Sequence, residues 1–257
     1  MRITVKVGTS NLTHATGRMD IRRVESLCKV LSDIKNAGHE VILVSSGAIA
    51  MGVGKLNLSK RPDDMPTKQA AAAVGQSELM YVYDKLFSEY NHTVAQILLT
   101  GEDIHDEKRH ENFANTLERL LSLKALPIIN ENDTVSTSEI SVGENDTLSA
   151  LVAVSVKSDL LILLSDVDGL YTADPRTSEK SELIPFVREI TPEMLSFAGG
   201  KGTALSTGGM ATKLGAAAIV MRSGIDMFIV NGANPEILYE VLDGKPVGTR
   251  FQGRKNS

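Results

Sequence analysis

Cysteine is almost missing from this chain of 257 residues: Cys28 is the only one. A lone cysteine cannot close an intramolecular disulfide, and it fits a reducing compartment. Cys28 stands among Val24, Leu27, Val30 and Leu31 on an expected helix, so it reads as a packing residue, not a nucleophile. Long apolar runs are also missing, and none approaches the length that spans a bilayer. The opening stretch "MRITVKVGTS" lacks the apolar h-region of a secretory signal. A soluble, cytoplasmic chain without a membrane partner is therefore expected. Positive charge is short as well: 27 Lys and Arg stand against 32 Asp and Glu, a formal net charge of -5. That leaves no basic footprint for nucleic acid. It does not exclude an anionic substrate, because the local field outweighs the total.

Several familiar signatures are missing too. No G-x-x-x-x-G-K-[ST] occurs, which excludes a P-loop enzyme. The stretch "GVGKLN" from Gly52 lacks the third glycine of a dinucleotide fingerprint and a clean strand-turn-helix setting. His105 and His110 are poorly aligned and lack the H-E-x-x-H pattern of a zinc site. No Ser/His/Asp set stands out, and Asp64, Glu102, Asp106 and Glu107 read as solvated surface charge.

What remains is an ordinary globular composition, 42% hydrophobic and 23% charged, long enough for one large α/β domain or two lobes. Short apolar strands alternate with helices. "ITVKV", "EVILVS", "TVAQILLT", "ALPIIN", "DLLILL" and "DMFIVN" read as strands. Helices are expected over 20–38, 67–90, 103–123 and 210–221, the first capped by Asp20. Near-continuous Val/Ile/Leu strands indicate a parallel sheet covered on both faces. "TVSTSEISVGEN" reads as a polar hairpin or lid, and "GLYTADPRTSEKSELIP" as a long polar connection of the kind that binds ligands. A soft boundary falls near residue 158. The strand ends are polar ("VGTSN", "SSGA", "NENDT", "SDVDG"), and together they point to one cleft at the carboxyl edge of the sheet.

Three features carry chemistry. Lys6 lies inside the first strand, on the face opposite Ile3, Val5 and Val7. A lysine there either meets an anion or marks an edge strand with one wet face. In "LSTGGMATKLGAAAIVMRSG", from Leu205, a glycine turn feeds a helix with Lys213 one turn in. Such a turn suits a bound anion, and it equally suits a Gly-Ala helix packed on a sheet with one solvated lysine. Asn132-Asp133 and Asn145-Asp146 recur in near-identical settings, where the plain alternatives are a turn and a helix cap. Converging on one cleft, they would offer acceptors to an ammonium and donors to a carboxylate, as an amino acid requires.

The segments "VKVGTSNL", "VSSGAIAMG", "KQAAAAVGQSELM", "INENDTVSTSEISVGENDTLSALVA", "LLSDVDGLYTADPR" and "STGGMATKLGAA", in this order, resemble the amino acid kinase family across nearly the whole chain. The paired "INEND…GENDTLSA" motif is similar to the glutamate-phosphorylating branch and sets it apart from acetylglutamate, aspartate, carbamate and uridylate kinases. The resemblance implies an α/β three-layer sandwich with a largely parallel eight-stranded central sheet, forming a single domain over 1–257. Its N-terminal lobe, about 1–158, would hold glutamate, and its C-terminal lobe, about 159–257, ATP. The implied reaction is ATP-dependent phosphorylation of the γ-carboxylate of L-glutamate, the first step of proline biosynthesis, with Mg²⁺ accompanying ATP and no protein metal ligand assigned.

Carried over by motif, Lys6 meets the transferring phosphoryl group and the nucleotide, Lys213 faces the phosphates, and Asp146 organises the reaction centre. Ser46, Asp133 and Asn145 contact glutamate. Ser165, Asp166 and the turn Thr207, Gly208, Gly209, Met210, Ala211, Thr212 and Lys213 hold ATP. Proline as feedback inhibitor and a homo-oligomer are implied as well. Ser165 replaces the threonine of many relatives, and Glu144 the aspartate of some. The C-terminal RNA-binding-type domain that many relatives carry is expected to be absent, because the sequence stops after "VGTRFQGRKNS". Two alternatives stay open: a kinase for another small acidic metabolite, and a non-catalytic sensor of amino acid or nucleotide.

Overall fold

A computed structural model describes residues 1–135, 145–173, 178, 181–198 and 209–254. The elements run β1 (Arg2–Val7), α1 (Ile21–Asn36), β2 (Glu40–Ser45), α2 (Ala48–Lys55), α3 (Met65–Ser88), β3 (Val94–Leu99), α4 (Gly101–His105), α5 (Glu107–Ser122), β4 (Leu126–Glu131) and α6 (Asn145–Ser155). They continue through β5 (Leu160–Ser165), β6 (Phe186–Val187), α7 (Pro192–Ala198), α8 (Met210–Arg222), β7 (Asp226–Asn231), α9 (Ile237–Leu242) and β8 (Thr249–Phe251). The strands form one eight-stranded sheet in the order β3-β4-β2-β1-β5-β7-β8-β6. Every pairing is parallel except β7 with β8.

Alternation along β1 assigns its two faces. Ile3, Val5 and Val7 join the core formed with Leu27 and Leu31 of α1 and Leu79, Tyr83 and Phe87 of α3. On the opposite face, Leu161 and Leu163 of β5 pack on Ala150 and Ala153 of α6 and Leu214 and Ala217 of α8. Phe113 and Leu117 of α5 cover Ile42 and Val44 beside them. Helices thus cover both faces, and the result is the three-layer sandwich expected. Among the described residues, no helix is long and apolar enough to cross a membrane.

β1 pairs with β2 on one side and β5 on the other, so it is a central strand and the wet-edge alternative for Lys6 falls away. The chain leaves β1 toward β2 and later returns on the far side through β5. That reversal of winding direction opens a crevice at the carboxyl ends of β1 and β5, where ligands of such sheets bind. Residue 158 lies just before β5, and the strands that precede it in the chain, β3-β4-β2-β1, form one side of the sheet.

Local differences from the expectations have local causes. The helix expected over 103–123 is divided at Asp106, whose backbone is extended and whose side chain accepts from Arg109 N–H at 2.9 Å, capping α5. Thr100 and Asp103 close a capping box on α4. Asp64 is likewise a cap, accepting from Thr67 N–H at 2.9 Å on α3. Two of the carboxylates read as plain surface charge therefore start helices. The long polar connection after β5 is drawn together at its described ends by antiparallel pairing of Tyr171 with Leu183.

The "GVGKLN" glycines belong to packing. Gly52 on α2 abuts α3 so closely that a Cβ there would lie 1.8 Å from Ala71 O, and one on Gly75 would lie 1.8 Å from Ala48 O. No side chain fits at either position without parting the two helices. Gly75→Ala is expected to cost at least about 2 kcal/mol of unfolding free energy, in the overpacking range. Urea titration measures it; an unchanged midpoint would show that α2 and α3 separate freely.

Candidate active site

Lys6 is expensive to bury and is 8% exposed, so something must offset its charge. Its side chain projects from β1 to the face covered by α6, and Nζ lies 2.6 Å from Asp146 Oδ1 in the first turn of that helix. Lys213, in the first turns of α8, places Nζ 3.0 Å from Asp146 Oδ2. Thr212 Oγ1 donates to the same Oδ2 at 3.1 Å. Oδ1 is thus held by the Lys6 ammonium, and Oδ2 by Lys213 and Thr212. Burial alone would raise the Asp146 carboxyl, but the charges and hydrogen bonds of Lys6 and Lys213 outweigh it and hold the carboxyl below its usual range.

The carboxylate is therefore ionised at neutral pH, and two ammonium groups share it, which leaves the trio by itself cationic. Strand, α6 and α8 converge here from both halves of the sheet. Helix capping does not account for Asp146, whose side chain is spent on the lysines and Thr212. Nor is Lys213 a solvated lysine, at 5% exposure.

Beside the trio stands a polar ledge. Asn145 Nδ2 points at Ser45 O at 3.1 Å, Ser46 Oγ at 2.8 Å and Asn130 Oδ1 at 2.9 Å. Ser45 Oγ in turn meets the buried Tyr83 hydroxyl at 2.8 Å. Asn145 Oδ1 is buried without a hydrogen-bond partner among the described residues. Asp133 is half-buried in the turn after β4, the strand that carries Asn130. Burial first, then the nearby Glu131 charge, push its pKa up to about 6, against the opposing charge of Arg61.

Of the residues expected to hold nucleotide, Ser165 ends β5, buried, with its hydroxyl 3.2 Å from Asp166 Oδ1, and Asp166 is exposed. Gly209 is the N-cap residue of α8, its carbonyl 2.8 Å from Thr212 Oγ1, whose one proton is shared between that oxygen and Asp146 Oδ2, and Met210 and Ala211 follow in the helix. Thr207 and Gly208 lie outside the described residues, as does most of "TVSTSEISVGEN". Gly8 N–H reaches Leu164 O at 3.4 Å, so it is committed to the sheet. Two surface troughs, of 460 and 880 Å³, run along α1 beside Glu236 and touch none of these groups. The residues that sequence reasoning missed are Gln76, Asn130 and Tyr83. All three are polar side chains within apolar patterns, and that interruption was the only signal available.

A lysine inside a central strand and a second in the first turns of α8 thus share one buried carboxylate. The model of the amino acid kinase family matches residues 1–231. The chain belongs to the amino acid kinase family. Among its relatives, a glutamate 5-kinase of Clostridium tetani is 55% identical, over 98% of this chain and 95% of that protein. One of Clostridium perfringens is 52% identical, over 99% and 96%. The fold also resembles the solved carbamate kinase of Giardia lamblia bound to AMP-PNP, with a TM-score of 0.70 at 16% identity and 98% of each chain covered. At that identity the likeness speaks for the amino acid kinase fold alone.

Proposed function

We propose that this amino acid kinase transfers the γ-phosphoryl group of ATP to the γ-carboxylate of L-glutamate, giving glutamyl 5-phosphate and ADP. The observation that carries the reading is the buried Lys6–Asp146–Lys213 trio set against the Asn145 ledge. Curated relatives at 52–55% identity named glutamate 5-kinase support the choice of acid. The attacking carboxylate is ionised at neutral pH and needs no general base. One of its oxygens bonds to the γ-phosphorus as the bond from phosphorus to the β-bridging oxygen breaks. Charge on the phosphoryl oxygens then meets Lys6 and Lys213, which Asp146 holds in place before the substrate arrives.

In this reading Ser46, Asp133 and Asn145 hold glutamate from the first half of the chain, to about residue 158. Ser165, Asp166 and the turn from Thr207 to Lys213 hold the nucleotide from the second half. Mg²⁺ is expected to arrive with ATP, bound to its phosphates. Asp146, between the two lysines, would orient water on such an ion, which would supply neutralisation of phosphate charge.

The test is ADP release with ATP and Mg²⁺ across glutamate, aspartate, N-acetylglutamate, carbamate and UMP. Glutamate is expected to be turned over and, with hydroxylamine present, to yield a hydroxamate. Turnover of N-acetylglutamate but not glutamate would overturn the proposal.

A further inference from the structure

We infer that Gln76 on α3 is a positioning residue, one that anchors the Asn130 amide bracing Asn145 and so steadies the grip on the substrate ammonium. The inference rests on the reading of Asn145 as a glutamate contact. It starts from a relay of buried amides whose orientations are set by groups that cannot exchange roles. The backbone N–H of Glu131 can only donate, so the Asn130 atom 2.9 Å from it is the oxygen. The Asn130 nitrogen must then face Gln76, and it donates to Oε1 at 2.9 Å. The backbone carbonyl of Ser45 can only accept, so the Asn145 atom 3.1 Å from it is the nitrogen. That nitrogen also reaches Asn130 Oδ1 at 2.9 Å, which joins the two amides. Asn145 Oδ1 is thereby turned away as the buried acceptor without a partner among the described residues.

The helix explains why Gln76 can serve. Gln76, Leu79, Tyr83 and Phe87 form the buried face of α3, and Gln76 is the amide in that stripe, 8% exposed. Tyr83 holds the other end of the ledge through Ser45. Removing the Gln76 acceptor leaves the Asn130 nitrogen without its partner. A turned Asn130 would set its nitrogen against the Glu131 N–H and the Asn145 nitrogen, donor against donor. Without Gln76 the Asn130 amide is anchored by the Glu131 N–H alone, which loosens the oxygen that braces Asn145 Nδ2.

Gln76 is needed as an acceptor, which makes the test specific. Gln76→Met and Gln76→Ala, the latter unable to overpack, are expected to raise glutamate KM about tenfold, the effect of one lost hydrogen bond. The kcat and the ATP KM are expected to stay within about twofold, since the phosphoryl centre is untouched. Gln76→Glu keeps an acceptor oxygen and is expected to keep the wild-type glutamate KM. In an Asn145→Ala background, Gln76→Met is expected to add nothing, as coupled groups behave. Equal effects of Met, Ala and Glu, or a parallel loss of kcat and ATP affinity, would reduce Gln76 to a structural residue. If Asn145→Ala raises glutamate KM while Gln76→Met and Gln76→Ala do not, the relay fails and the Asn145 reading stands. If Asn145→Ala itself leaves glutamate KM unchanged, that reading falls and takes the inference with it.

Discussion

Lys6→Ala and Lys213→Ala are each expected to lower kcat by roughly 10²–10³-fold, the scale on which one preorganised transition-state donor contributes. Glutamate KM should move far less, because neither lysine belongs to the ledge formed by Ser46, Asn130 and Asn145. The two substitutions differ in position but not in logic. Each deletes one of the two ammonium groups that flank Asp146, and the other still neutralises the carboxylate. The fold is therefore expected to survive, and a thermal melt on each variant separates lost chemistry from lost structure. Steady-state kinetics with ATP and glutamate is the decisive measurement. Near-wild-type kcat in both variants would mean that neither lysine reaches the phosphoryl group and that the trio serves folding alone. A double variant is expected to lose less than the product of the two single effects, because both lysines act on one centre through one carboxylate.

The legibility of this site in the sequence was uneven, and the reasons are physical. Lys6 was conspicuous because a strand of alternating apolar residues has no plain use for an ammonium, yet the strand alone could not say whether it was central or at an edge. The parallel partners β2 and β5 decide that, and they are fixed by pairing across residues 40–45 and 160–164. Lys213 was equally open, since alanine-rich helices pack on sheets whether or not they bind anions. Its burial against Asp146 is a tertiary fact. The division between α4 and α5 was hidden because Asp106 serves charge and capping alike, and only its extended backbone reveals the cap. Asn130 and Gln76 were hidden for the opposite reason. Each stands within a run that reads as core, and a buried amide shows its purpose only when its partner is in view.

Asp133→Asn is expected to raise glutamate KM by about 10–100-fold, the span for a charge-assisted bond to an ammonium, with ATP KM nearly unchanged. The effect on stability points the other way. Burial and Glu131 push the Asp133 pKa up to about 6 from an ordinary 3.8, so the folded protein without ligand binds this proton more tightly than the unfolded chain does. Stability from this group is greatest below about pH 4 and falls as pH rises toward 6, where the ionised form must be tolerated. An asparagine in its place carries no such charge, so the variant should be at least as stable at neutral pH while binding glutamate worse. A ligand ammonium favours the ionised form, so wild-type glutamate KM is expected to rise as pH drops through about 6, and the Asp133→Asn variant should lose that dependence. The same logic extends to proline, proposed here as an inhibitor that shares the amino-acid anchors. It carries an α-carboxylate and a charged secondary ammonium but no γ-carboxylate, so it can occupy the ledge and leave the phosphoryl centre empty. Inhibition by proline should therefore weaken in step with glutamate binding in Asp133→Asn and in Asp133→Ala. Glutamate KM, proline inhibition and ATP KM measured from about pH 5 to 8, either side of that titration, on the three proteins test this together. Proline inhibition that persists while glutamate KM climbs would place the inhibitor at a separate site, and a flat wild-type profile would remove Asp133 from the ammonium contact.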